Sequence, residues 1–351
     1  MRDGGADEGP ERVGARALRE WITGEREQYA RVFLVESGAA ADAVFDVAGD
    51  DDVVLLPDDG GPCPESTRIV RYSGALGDIG DELFLGDRGV ELQDYVAAGF
   101  VQIVGPTVVC LFGASDVQAF LEDAELARRT GVFPSALIDP RVLLANRGAL
   151  ARPDEIDTPS ALRIGAAGTV SVGVHGEPLG RIAELPDLLA TPLPRAAALG
   201  GIAPEDALAA ELRNRDGIGR YLGAAELMKI LHLPNGAAKI SGFGWSLLDD
   251  DDDLADAEPL TADPFLLDTA DGFVLADITT LRRQLLSPET AGVVVATQTS
   301  STLEIAAERV ARQLGTSSSE ASALCREAVA ALGIHTGRRA RSVRATKDIA
   351  R

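Results

Sequence analysis

From Pro264 to Gly337 the local signals of this chain agree with one another, and that agreement constrains its fold more than any other feature. Phe265 to Asp268 reads as a strand, Ala270-Asp271-Gly272 as a tight turn and Phe273 to Ile278 as a second strand. Asp-Gly between apolar runs favours a hairpin because glycine tolerates positive φ. Thr280 to Leu286 (TLRRQLL) supplies a third strand. Ser287-Pro288-Glu289 then offers an N-cap, a first-turn proline and an acid, which predicts a helix through Ala296. The consecutive Val293, Val294 and Val295 pull the other way, since β-branched residues favour strands. Ser301-x-x-Glu304 and Ser317-x-x-Glu320 are capping boxes. Behind the first, Leu303, Ala306, Ala307, Val310 and Leu314 make an apolar face that Gly315 ends. Behind the second, Ala321, Leu324, Cys325, Ala328 and Leu332 make another that Gly333 ends. Three strands and then three helices predict a C-terminal winged helix-turn-helix.

That order and spacing resemble the RiPP recognition element, a module of the pathways that make ribosomally synthesised, post-translationally modified peptides. The resemblance rests on FLLD at 265–268, FVLAD at 273–277, LRRQLLSPET at 281–290 and the two capped helices, about the last quarter of the chain. It implies that the leader segment of a precursor peptide adds as an extra strand beside the third strand, in a groove walled by the third helix. Main-chain hydrogen bonds then supply affinity and alternate side-chain pockets supply choice. Carried onto this chain, the leader lies along Leu281, Arg282, Arg283, Gln284 and Leu285 and faces Ala321, Leu324, Cys325, Arg326 and Ala328. Arg282, Arg283 and Arg326 are candidates to meet a leader carboxylate, because arginine offers a planar two-pronged donor. Alternation along a strand puts Arg282 and Arg283 on opposite faces, so one of the two is expected to do so. A body of this size ahead of such a module also resembles the recognition protein of daptide-type pathways. That implies partner enzymes that modify the precursor: an oxidative decarboxylase or dehydrogenase, an aminotransferase and a methyltransferase.

Upstream, the sequence predicts an α/β (or α+β) body. Residues 1–28 are charged and Gly-rich and read as a flexible N-terminus. In 29–152, RVFLV at 31–35, DVVLL at 52–56 and RIVRY at 68–72 read as buried strands. Phe100 to Val104 and Thr107 to Phe112, around Gly105-Pro106, read as a hairpin or two consecutive strands, followed by a helix through Val117, Phe120, Leu121 and Ala124. In 153–248, Ala161–Ile164, Thr169–Val174 and Leu179–Ile182 suggest a small β-meander. A helical region opening at Pro204-Glu205-Asp206 follows, interrupted near Gly217 to Gly219. Residues 249–263 form an acidic linker, since the adjacent carboxylates of Asp249 to Asp253 repel one another. They lack the alternation and central glycine of a calcium loop. A basic tail, 338–351, follows the 264–337 module.

Composition narrows the partners. The net charge is −22, which repels phosphate backbones and anionic lipid, so neither nucleic acid nor membrane is expected. The third helix of the module offers few groups to read bases beyond Arg326. Cys63, Cys110 and Cys325 have no metal-ligand spacing and form no disulfide framework. With no basic-then-apolar opening stretch, they point to a reducing bacterial cytoplasm.

No stretch reads as a complete active site, and no cofactor or metal is expected. Gly217-x-Gly219-x-x-x-Gly223 departs from the dinucleotide fingerprint and follows no strand, so it reads as a helix break. His175, His232 and His335 stand far apart without a second ligand at useful spacing. Cys325 reads as a buried small hydrophobe, Cys63 as an exposed thiol that nothing activates, and Trp245 as an anchor or core aromatic. The sequence therefore favours a non-catalytic protein that binds a precursor's leader and presents it to modifying enzymes. The alternatives are an enzyme whose body is catalytic with the module as substrate clamp, and a winged-helix DNA-binding regulator.

Overall fold

The computed structural model describes residues 9–65, 67–202, 205–213, 215, 217–248 and 255–339. The chain is mixed α/β and divides into two compact units: 1–123 with 134–222, and 124–133 with 223–351.

The first unit is built on a ten-stranded sheet of order β11-β10-β9-β1-β2-β3-β4-β5-β6-β7. Its strands are β1 (Arg31–Val35), β2 (Asp52–Pro57), β3 (Ile69–Gly74), β4 (Glu82–Leu85), β5 (Arg88–Asp94), β6 (Thr107–Cys110) and β7 (Val142–Leu144). After a short pairing strand β8 (Ile156–Asp157) come β9 (Ala161–Ile164), β10 (Thr169–Val172) and β11 (Pro178–Arg181), and then β12 (Leu193–Pro194) beside β8. Strands β9, β1, β2 and β3 run parallel, as do β5, β6 and β7, with antiparallel β4 between the two sets. Strand β2 is buried at every position, as a parallel strand covered on both faces must be. Alternation sends Val32, Leu34, Val53 and Leu55 to one core and Phe33, Val35, Val54 and Leu56 to the other.

The first of those cores is closed by α1 (Pro10–Thr23), where the sequence suggested a flexible start. Ala17, Leu18, Trp21 and Ile22 recur at helical spacing and are buried, and Trp21 donates its indole N–H to the Leu162 carbonyl at 2.9 Å. The dense charges around that stripe had hidden it. Gly24 (φ 66) ends the helix in the left-handed conformation that glycine adopts without strain.

Two further expectations are corrected. The meander β9 to β11 is no separate domain, because β9 pairs in parallel with β1 and extends the main sheet. Phe100 to Val104 forms no strand, and Phe100 and Val104 are 88% and 80% exposed. Strands β5 and β6 are parallel neighbours, so the chain between them must cross over and cannot make a hairpin. It does so through α3 (Tyr95–Ala98) and a loop; the earlier α2 (Asp42–Phe45) links β1 to β2.

The remaining helices of the chain are α4 (Ala114–Thr130), α5 (Ser135–Ile138), α6 (Arg147–Ala151), α7 (Leu185–Ala190), α8 (Glu205–Arg213) and α9 (Ile218–Leu231). The division between units falls within α4 and α9. Gly219 and Gly223 lie inside α9, so the break in the helical region precedes them; Pro204 lies outside the described residues. No helix among the described residues is long and apolar enough to cross a membrane.

The second unit holds a five-stranded sheet of order β14-β13-β15-β16-β17. Its strands are β13 (Ala238–Ser241), β14 (Gly244–Trp245), β15 (Phe265–Thr269), β16 (Gly272–Ala276) and β17 (Arg283–Leu286). Two strands from before residue 264 thus join the three expected after it. The acidic run Asp249 to Asp253 and the tail from residue 340 lie outside the described residues. Helices α10 (Pro288–Gln298), α11 (Leu303–Leu314) and α12 (Ser318–Leu332) complete the unit.

Ser287 and Ser317 cap α10 and α12 as expected, accepting the Thr290 and Glu320 N–H groups. The cap of α11 is Thr302, one residue later than Ser301. Ser301 instead donates its N–H and hydroxyl to Asp256. Helix α10 is buried from Ala291 through Gln298 despite its three valines, because sheet residues Leu266 and Leu275 and the helix pair α11–α12 enclose it.

Removal of the Trp21 side chain tests the corrected start. Trp21→Ala should lower stability by ~3–5 kcal/mol, measured by denaturant unfolding. A loss below ~1 kcal/mol would mean that α1 is no part of the core.

Candidate functional site

Strand β17 is the last strand of its sheet, so one main-chain edge has no strand beside it among the described residues. It pairs antiparallel with β16: Phe273 with Leu286, Val274 with Leu285, Leu275 with Gln284 and Ala276 with Arg283. The Asp277 N–H donates to the Arg282 carbonyl at 3.0 Å, which makes that pair a hydrogen-bonded one. Such pairs alternate along an antiparallel ladder, so Gln284 and Leu286 also point their main chain at β16. Arg283 and Leu285 therefore direct N–H and C=O outward.

The strand is shorter than Thr280 to Leu286. Leu281 sits at φ 56, a left-handed conformation that no strand residue adopts, and Thr280 and Arg282 lie in the loop with it. Asp277 holds this loop: its carboxylate accepts the Thr279 N–H at 2.8 Å and the Thr280 hydroxyl at 2.7 Å. Burial opposes its ionisation, but those hydrogen bonds and the Arg282 guanidinium hold its pKa below the usual carboxylate value. Asp277 was missed from the sequence, although Asp-x-Thr-Thr carries the signal of a side chain that bonds its own backbone two residues on.

Helix α12 presents less than expected. Ala321 and Cys325 are 0% exposed and Ala328 6%, all within the unit's own core. Their spacing by four and three residues is the stripe with which α12 packs on α10 and α11, so these side chains are covered already. Burial raises the Cys325 thiol pKa. Leu324, half-buried beside that stripe, and exposed Arg326 are the proposed α12 contacts left open. Trp245 stacks on Phe273 within the same unit, with ring centroids 6.4 Å apart.

In the first unit the titratable groups are mostly tied into packing. His175 lies against Phe112 (centroids 4.6 Å), and its Nε2 is buried without a hydrogen-bond partner among the described residues. Burial first, and then the Arg163 guanidinium, push its pKa down to about 4. Arg163 itself is held by Glu36 and the Val174 carbonyl. Asp116 accepts the Phe112 and Gly113 N–H groups and lies near Asp94. Burial and the Asp94 charge nonetheless raise its pKa. Cys110 is buried and its pKa raised, whereas Cys63 is exposed. In the second unit, His232 follows α9 at φ 53, and His335 bonds buried Asp263 through Nδ1 at 2.7 Å. A pocket of about 60 Å³ between Asn146, Ser160, Val172 and Arg195 has room for a few waters only. No group of three or more His, Cys, Asp or Glu among the described residues is placed to hold a metal ion.

The His175 environment sets an acid response. The folded chain takes up this proton only near pH 4, whereas an unfolded one does so near 6.5. The stability contributed by neutral His175 is therefore present above about pH 6.5 and lost as pH falls toward 4. His175→Phe should resist that loss, by no more than about 3 kcal/mol, in unfolding measured across the window. Parallel losses in both proteins would exclude His175 as the group responsible. The chain matches no protein-family profile, no curated protein and no solved structure, so its function rests on its own residues.

Proposed function

We propose that this chain is a non-catalytic recognition protein that binds the leader of a ribosomally made precursor peptide by strand addition to β17. The observation that carries this reading is the edge at Arg283 and Leu285, whose main-chain groups point away from the sheet with no strand beside them among the described residues. An extended peptide can take up those groups, and side chains then choose among peptides. The order β15 to β17 followed by α10 to α12 supports a winged helix-turn-helix of the RiPP recognition element kind. The net charge of −22 and the Ser-, Ala- and Glu-rich α12 favour a peptide over DNA. A body of this size ahead of such a module resembles the recognition protein of daptide-type pathways, and three cysteines without a disulfide framework favour the cytoplasm. The bound precursor is presented there to a dehydrogenase or decarboxylase, an aminotransferase and a methyltransferase.

Strand addition has a specific test. The Leu285 N–H is not used in the β16 ladder, so proline at this edge position leaves the fold intact and removes one outward donor. Fluorescence polarisation with a labelled leader peptide, taken from any short precursor gene found in the neighbourhood, should show saturable binding. Leu285→Pro should weaken it at least ~10-fold, and more than Leu285→Ala does. Equal binding by the wild type and the proline variant would rule out addition at this edge.

A further inference from the structure

We infer that the peptide at this edge is read by Arg283 and Leu285, on the sheet face turned away from α10, α11 and α12, and carries an aliphatic side chain followed two residues later by a carboxylate. This deepens the strand-addition reading and rests on it.

The register assigns the faces. Leu286, its cross-strand partner Phe273, and Leu275 all pack into the core with α10, α11 and α12. Alternation puts Gln284 with them and turns Arg283 and Leu285 to the opposite face. On the helix side the α12 stripe is closed, with Ala321 and Cys325 at 0% exposure. On the other side Leu285 is 69% exposed, a large aliphatic surface next to main chain that no strand pairs among the described residues.

Charge separates the two adjacent arginines. Arg282 precedes the strand and acts on the Asp277 carboxylate that clamps the loop. Arg283 is exposed and has no ion-pair partner among the described residues. A carboxylate placed across from it gains a two-pronged donor at no expense to the fold.

Spacing and order follow. Side chains on one face of a strand recur every second residue, so groups opposite Leu285 and Arg283 are two residues apart. Strands β13, β15, β16 and β17 each run antiparallel to the next, and a peptide that continues this pattern meets Leu285 before Arg283. The recognised order is aliphatic, any residue, acid. The unmatched middle side chain falls on the helix face beside Gln284.

Fluorescein-labelled synthetic dodecapeptides of Thr, Ser and Val carrying one Leu-x-Glu element test this on the full chain. Comparison peptides place Glu adjacent to Leu, reverse the order, or replace Glu by Lys. The Leu-x-Glu peptide should bind about tenfold more tightly than each, the size of two favourable cross-strand pairs. Arg283→Glu should lose that advantage and bind the Lys peptide better, and Leu285→Asp should lose it as well. Both side chains are exposed, so unchanged thermal melts are expected for these variants. Affinity that falls with Leu285→Pro yet ignores spacing, order and charge would overturn this read-out and leave strand addition standing. Tighter binding of the reversed peptide would overturn the assigned order. Affinity indifferent to Leu285→Pro would remove strand addition and this inference together.

Discussion

The second unit depends on one buried helix. α10 carries almost no polar surface between Ala291 and Gln298, and its neighbours enclose it: the sheet through Leu266 and Leu275, and α11 and α12 through Ala306, Val310, Ala321 and Cys325. A helix apolar all round is stable only when surrounded. Its three valines would weaken it in isolation, but tertiary packing outweighs a propensity of a few tenths of a kcal/mol per residue. Close approach demands small residues as well. A Cβ on Gly292 would lie 2.5 Å from the Gln313 side chain. The C-terminal end of α10 is satisfied by Arg309, which is buried and donates to the Ala296 and Thr299 carbonyls. With this helix fixed, β16 and β17 have a rigid backing, and the edge they present has a defined register.

Signals confined to a few adjacent residues were legible in the sequence. The Asp271-Gly272 turn and the caps at Ser287 and Ser317 needed only local hydrogen bonding, and they hold. Errors arose where a partner distant in sequence decides. α1 resembles a solvated segment until β1, β2 and β9 are there to receive Trp21. β9 looked like the start of a separate meander because nothing in residues 161–164 announces parallel pairing with β1, well over a hundred positions earlier.

The candidate edge shows the same division. TLRRQLL alternates well enough to pass for seven residues of strand, and the left-handed Leu281 that shortens it is set by Asp277 from the loop before. On α12 the apolar stripe is plain in the sequence, but what covers it is not. Here it serves α10 and α11, so the same residues are not also open to a ligand. Which face of β17 remains free follows from its pairing register with β16, which the loop held by Asp277 and the partner strand set together.

An uncovered edge is also a hazard, because it invites the same edge of another copy. β17 is only four residues long, and the loop clamped by Asp277 ends it abruptly on one side, with the α10 cap at Ser287 on the other. A second β17 paired antiparallel would set its own Leu285 across from Arg283 and bring no carboxylate to that guanidinium. Short length and charged side chains are the means by which sheet proteins discourage association through their own edges. Arg283 thus discriminates in two directions: it gains nothing from a second β17 and leaves the place open to a strand of opposite charge.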